Sequence, residues 1–195
     1  MFQRRVLLAA LELLNVSEGP VLVDFAEESP GGEAGSEYAP QVWACPVSFA
    51  SDIRKESEPD LLRSAFKREI RELLPWYDLS LETRGRTTVT NFEPEDASEF
   101  LAGYAFERTT EPPKADMPLA VALRLAAQDL KAFYLEAVTA RPGSASPSSA
   151  ELNRWFWTET AAGQVLRAVK ERCLSEDDKA LRKTGAMLLV PMDQS

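Results

Sequence analysis

Leu119, Leu123, Ala126, Leu130, Phe133 and Ala137 follow one another at alternating spacings of four and three residues. This rhythm constrains the fold most. It places all six apolar side chains on one face of an α-helix, whereas a strand would scatter them over both faces. After "RPGSASPSS", residues 141–149, which reads as a flexible loop, a second stripe begins: Leu152, Trp155, Ala162, Leu166, Val169 and Cys173. Ser148 and Glu151 precede it with the spacing of a capping box. Two long helices joined by a short polar loop should fold back on each other as an antiparallel pair. The sequence therefore predicts a helical hairpin over 118–174.

The second stripe has a fault. Glu159 falls in the seam between Trp155 and Ala162. Its helical neighbours at 155, 156, 162 and 163 are Trp, Phe, Ala and Gly, so its own helix offers no salt bridge. A buried carboxylate needs a partner or takes up a proton. Arg124, Lys131, Arg63 and Arg71 are the candidate partners. The structural reading is an ion pair that fixes helix register, or a place at the edge of the interface. The functional reading is an acid or base in an aromatic-walled pocket with Trp155, Trp157 and Tyr134. The small residues of "TAAG", 160–163, leave room for another backbone or a ligand to come close. Trp157 lies off the stripe, which suggests an exposed interface anchor.

Other segments are read in the same way. Residues 2–15 form a helix in which Leu7, Leu8, Leu11 and Leu14 share a face. "PVLVDFAEE", 20–28, is expected as a short buried strand, 29–40 as a loop, and "QVWACPVSFA", 41–50, as an edge strand or extended segment limited by Pro46. From about residue 58 a helix carries Leu62, Phe66, Ile70 and Leu73. Pro75 should break or kink it and start another through "PWYDLSLETR", with Gly85 as a stop. "RTTVTNF", 86–92, is β-branched enough for a short strand. "PEDASEFLAGYAF" restarts a helix, and 111–118 is a linker. The fold class is thus mainly α with a minor α+β component. It is a helical bundle (51–195) with a small N-terminal region of helix, short strands and loop (1–50), together one continuous globular unit.

Histidine is absent. Within this chain that excludes Ser-His-Asp and Cys-His catalysis, His-based zinc sites and the di-iron bundle built on Glu-x-x-His. The net charge of -9, from 31 acidic and 22 basic residues, repels phosphate backbones and anionic lipid, so neither nucleic acid nor membrane is an expected partner. Arg4 and Arg5 precede a short apolar run as in a signal peptide. Glu12 interrupts that run and no clean cleavage site follows, which favours a soluble helix. Cys45 and Cys173 are too far apart for a paired motif, and a reducing, cytoplasmic setting is the default. Cys45, with no adjacent base, reads as a buried thiol rather than a nucleophile, and Cys173 as packing.

Two weaker constellations remain. Arg84, Gly85, Arg86 and Thr87 form a compact basic turn that could hold a phosphate or carboxylate, or be a solvated turn. Asp129 and Glu136 share a helix face. With Glu159 they could surround a hard cation, although helical faces carry such acids routinely. No metal and no cofactor are expected.

"FQRRVLLAALELL", residues 2–14, resembles a basic amphipathic helix near the C-terminal end of the B-subunit proteins of glycine/sarcosine/betaine reductases, where such a helix closes a nucleotide-fold-like domain. The likeness covers about a dozen residues. The redox-active cysteine or selenocysteine motif of that family has no counterpart here, so no catalytic residue carries over. The resemblance implies a C-terminal extension or detached accessory piece of such a system.

The expectation is a non-catalytic accessory subunit or protein-interaction module, with a protein partner and an association with a reductase system. The alternative is a carboxylate- and arginine-based enzyme or small-molecule binder, with Glu159 beside Trp155 and the Arg84–Arg86 turn as anion contact. The first requires an exposed apolar patch around Trp157. The second requires a closed pocket that contains Glu159.

Overall fold

A computed structural model describes residues 2–16, 19, 23–27, 58–107, 111–141 and 147–191. The chain divides into two compact units, Met1–Val42 and Trp43–Ser195. The segments 29–40 and 41–50, with Cys45, lie outside the described residues.

In the first unit α1 spans Phe2–Glu12 and ends in a 3-10 turn, Leu13–Asn15. Residues 23–27 fold over its start. Phe25 meets Phe2 edge-on at 5.8 Å between ring centroids, and Glu27 takes Arg5 at 2.9 Å and 2.5 Å. The strand expected over 20–28 is not supported, since residues 23–27 are irregular and exposed. A strand needs a neighbour to satisfy its backbone. Here an aromatic contact and an ion pair hold the segment instead.

The second unit is all helix and loop among its described residues. Its helices are α2 (Pro59–Arg84), α3 (Pro94–Ala102), α4 (Leu119–Ala140), α5 (Ser149–Glu159), α6 (Ala161–Ser175) and α7 (Lys179–Met187). One π turn, Gly103–Glu107, extends α3. The α4 stripe is the core as expected: Leu123, Ala126, Leu130, Phe133 and Ala137 are fully buried. The α5 start carries the Ser148–Glu151 capping box, with Ser148 Oγ accepting from the Glu151 N–H and the Glu151 carboxylate accepting from the Ser148 N–H.

Three expectations need correction. First, α2 is continuous through Pro75. Pro75 is solvent-exposed, and the helix continues through it without the hydrogen bond that its missing N–H would have made to the preceding turn. Gly85, at φ +64°, does stop the helix, its N–H donating to the Leu81 carbonyl. Second, α4 and the α5–α6 arm are not a simple hairpin. Both α4 and α6 pack extensively on α2. The buried face of α2 includes Leu62, Ala65, Phe66, Ile70, Leu73 and Tyr77, wide enough to serve two helices. α4 reaches α5 mainly through rings, with Tyr134 edge-on to Phe156 at 5.4 Å.

Third, residues 86–92 are a loop. Two carboxylates of α4 do the work a neighbouring strand would do. Asp129 accepts from the N–H groups of Thr90, Asn91 and Phe92 at 3.2, 2.8 and 2.8 Å. Glu136 accepts from the Thr88 N–H at 2.8 Å and from the hydroxyls of Thr87 and Thr88. Burial pushes the Glu136 carboxyl up, but these hydrogen bonds and the Arg84 charge outweigh it and hold it below its ordinary value.

Candidate functional site

The second stripe, whose spacing predicts one continuous helix, is broken at Thr160. Thr160 adopts extended backbone, φ -113° and ψ 147°, and separates α5 from α6. Its hydroxyl serves both ends. It donates to the Phe156 carbonyl at 2.6 Å and accepts from the Gly163 N–H at 3.0 Å, which makes it the N-cap of α6. Arg167 closes the end of α5 further. Its guanidinium donates to the Trp157 carbonyl at 2.7 Å and lies over the Trp157 ring. A Cβ on Gly163 would come within 2.5 Å of the Phe156 carbonyl oxygen. The small residues of "TAAG" thus admit another backbone, and it is that of α5 itself.

The break exposes the first N–H groups of α6 to a buried acid on α2 that its own helix stripe does not set apart from the other apolar-face positions. Glu69, on α2, is fully buried. Its Oε1 accepts from the Ala161 N–H at 2.7 Å, and its Oε2 from the Ala162 N–H at 3.3 Å and the Tyr134 hydroxyl at 2.8 Å. With Thr160 on Gly163, the three leading donors of α6 are satisfied. The carboxylate also sits where the helix dipole favours negative charge. Burial pushes the Glu69 carboxyl up to about 7, against the pull of Ala161, Tyr134, Ala162 and the Arg68 charge. Burial and the nearby Glu69 carboxylate push Tyr134 well above its ordinary value, so it remains a donor. One side chain thereby joins α2, α4 and α6.

Glu159, by contrast, is the exposed last residue of α5. Its candidate partners are engaged elsewhere: Arg63 with Glu99 and Glu107, Arg124 with Gln128, and Lys131 with the Leu189 carbonyl. Arg71 is exposed. Trp155 and Trp157 are buried, at 1% and 2% exposure, so the expected exposed patch around Trp157 does not form. Trp157 Nε1 donates to Asn153 Oδ1 at 3.0 Å, and its ring packs edge-on against Phe156. Arg84 donates to Thr139 Oγ1 at 3.0 Å, and both Arg84 and Arg86 are exposed. The basic turn therefore exists, and the Arg84 charge helps to hold the Glu136 carboxyl below its ordinary value.

Asp129 and Glu136 are occupied by the 86–92 loop. Among the described residues no group of His, Cys, Asp or Glu side chains is arranged to hold a metal ion. Among the described residues of the second unit, concavities open at these three places. One lies against the 87–93 loop, one beside the π turn and α6, and one between α4 and α5. Glu159 lines none of the three.

The described residues of the second unit define a helical bundle in which a buried carboxylate caps α6. No family model, curated protein or solved structure matches the chain.

Proposed function

We propose that the chain is an accessory subunit or interaction module that offers a helical surface to a protein partner. The Trp157 patch that this reading called for is buried, so the observation that carries it is instead the leucine face of α1 and of the 3-10 turn that follows it. Leu7, Leu11 and Leu14 are 64%, 57% and 79% exposed, and no α1 residue is buried. Their spacing of four and three is that of a seam made for another helix. Contiguous exposed apolar surface of this kind marks interaction sites. The same segment carries the resemblance to the reductase B-subunit proteins, so a reductase system is the first place to seek the partner. No described helix is long and apolar enough to cross a membrane.

The test is native mass spectrometry on protein purified gently from its own host, comparing the natural chain with a Leu7→Ser/Leu11→Ser/Leu14→Ser variant. A second polypeptide should co-purify with the natural chain and be lost from the variant. Far-UV circular dichroism and the melting temperature should hardly change, because no buried residue is touched. A bare monomer in both preparations would defeat the proposal.

A further inference from the structure

We propose that the groove between α4 and α5 binds a small amphiphilic carboxylate, a short apolar chain with one anionic end, of the medium-chain fatty acid class. The groove encloses about 250 Å³. At roughly 30 Å³ per water-sized group, that is room for about eight groups, matching the eight carbons of octanoate, whose two carboxylate oxygens lie outside that volume; it is below the size of a drug-like ligand. Its walls are Leu135, Leu152, Phe156 and Trp157, and its polar groups are Lys131, Asn153 and Ser149. Leu135 remains 37% exposed at the rim.

Lys131 gives the site its sign. Lys131 lines the groove and is half-buried, and burial alone pushes its ammonium below its ordinary value, with no charged neighbour contributing. Its described bond is a long one, 3.4 Å to the Leu189 carbonyl, and no described carboxylate pairs with it. A partly desolvated cation without an anion is costly, and an incoming carboxylate would relieve that cost. Asn153 supplies a second contact. Because Trp157 Nε1 must donate, Asn153 Oδ1 is the acceptor, and the amide plane is fixed. Among the described residues the Asn153 NH2 donates to nothing, and the residue is exposed. Apolar walls with one cation and one oriented amide suit an aliphatic monoanion. An aliphatic amine would meet the Lys131 charge, and an inorganic anion would leave the walls wet. The inference is independent of the α1 leucine face.

The experiment titrates octanoate into the full chain, read by indole fluorescence and by ¹⁵N chemical shifts. Hexanoate, octylamine and octanol serve as comparisons, and Lys131→Gln and Lys131→Arg as variants. Octanoate should bind and shift the Trp157 indole and the Leu135 and Phe156 amides. Hexanoate should bind about fifteenfold more weakly, at about fourfold for each of the two methylenes lost. Octylamine should not bind. Lys131→Gln should weaken octanoate at least tenfold with the melting temperature kept, and Lys131→Arg should retain it. The proposal is overturned if octanoate fails to bind at millimolar concentration. It is equally overturned if octanol or Lys131→Gln matches octanoate on the natural chain, or if the shifts map away from α4 and α5.

Discussion

Glu69 and Glu159 are both glutamates set among apolar helical positions, and both stand next to the break between α5 and α6. Glu69 comes from a distant helix, is fully buried, and closes the open end of α6 together with Tyr134. Glu159 lies one residue from the break, ends α5 and faces solvent. A carboxylate in an apolar stripe therefore points to a buried site only if the helix carrying the stripe is continuous. α2 runs unbroken past Glu69, so its register holds. At Thr160 the chain leaves helical geometry, and positions counted across it no longer share a face.

The sharpest way to break this comparison is to remove Glu69. At pH 5, Glu69→Ala should cost about 3 kcal/mol in urea unfolding, because it strands the Ala161 and Ala162 N–H groups and the Tyr134 hydroxyl in the core. A cost below about 1 kcal/mol would mean that water or a neighbour replaces it.

The pH dependence comes next. The folded Glu69 carboxyl titrates near 7, against an ordinary value of 4.5. Between these values the folded chain keeps a proton that the unfolded chain has released, so raising the pH favours unfolding. The Glu69 contribution is complete below about 4.5 and is lost as pH rises through about 7. From pH 5 to pH 7 the loss should be about 2 kcal/mol. Glu69→Gln, which does not titrate, should flatten that part of the stability profile. An unchanged profile would assign the titration elsewhere.

Gly163→Ala tests the close approach of α5 and α6. The added methyl group meets the Phe156 carbonyl oxygen at 2.5 Å and the Trp157 Cα at 3.1 Å, both backbone atoms that cannot rotate away. Alanine favours a helix over glycine by about 1 kcal/mol. Even so, thermal unfolding should show a net loss of about 1–2 kcal/mol from overpacking. Smallest of all, Glu159→Gln should stay within about 0.5 kcal/mol of the natural chain in the same assay, as an exposed substitution does. A loss near that of Glu69→Ala would erase the distinction between the two glutamates.

Much of the fold was legible. The α4 stripe, the Ser148–Glu151 box and the Gly85 stop each rest on local rules of helix geometry, and each holds in the structure. The candidate site was legible in kind but not in place. Counting from Leu62 and Phe66 puts Glu69 on the buried stripe of α2, by the same spacing that puts Glu159 in the second stripe. Thr160, a good N-cap followed three residues later by Gly163, was the sign that a new helix began. The 86–92 segment misled for a related reason. Its β-branched residues suit a strand, but Asp129 and Glu136 claimed its donors before any strand could.

The sequence by itself determined that this chain is helical, where most helices begin and end, and which faces are apolar. Those are properties of spacing and caps, felt within a few residues. Only the tertiary structure decided that α2 would take both α4 and α6 as neighbours, that Trp157 would be buried, and that Glu69 rather than Glu159 would meet the start of α6. Those outcomes depend on which buried donors and acceptors find each other across dozens of residues. An unsatisfied polar group in the core is costly wherever it sits in the chain.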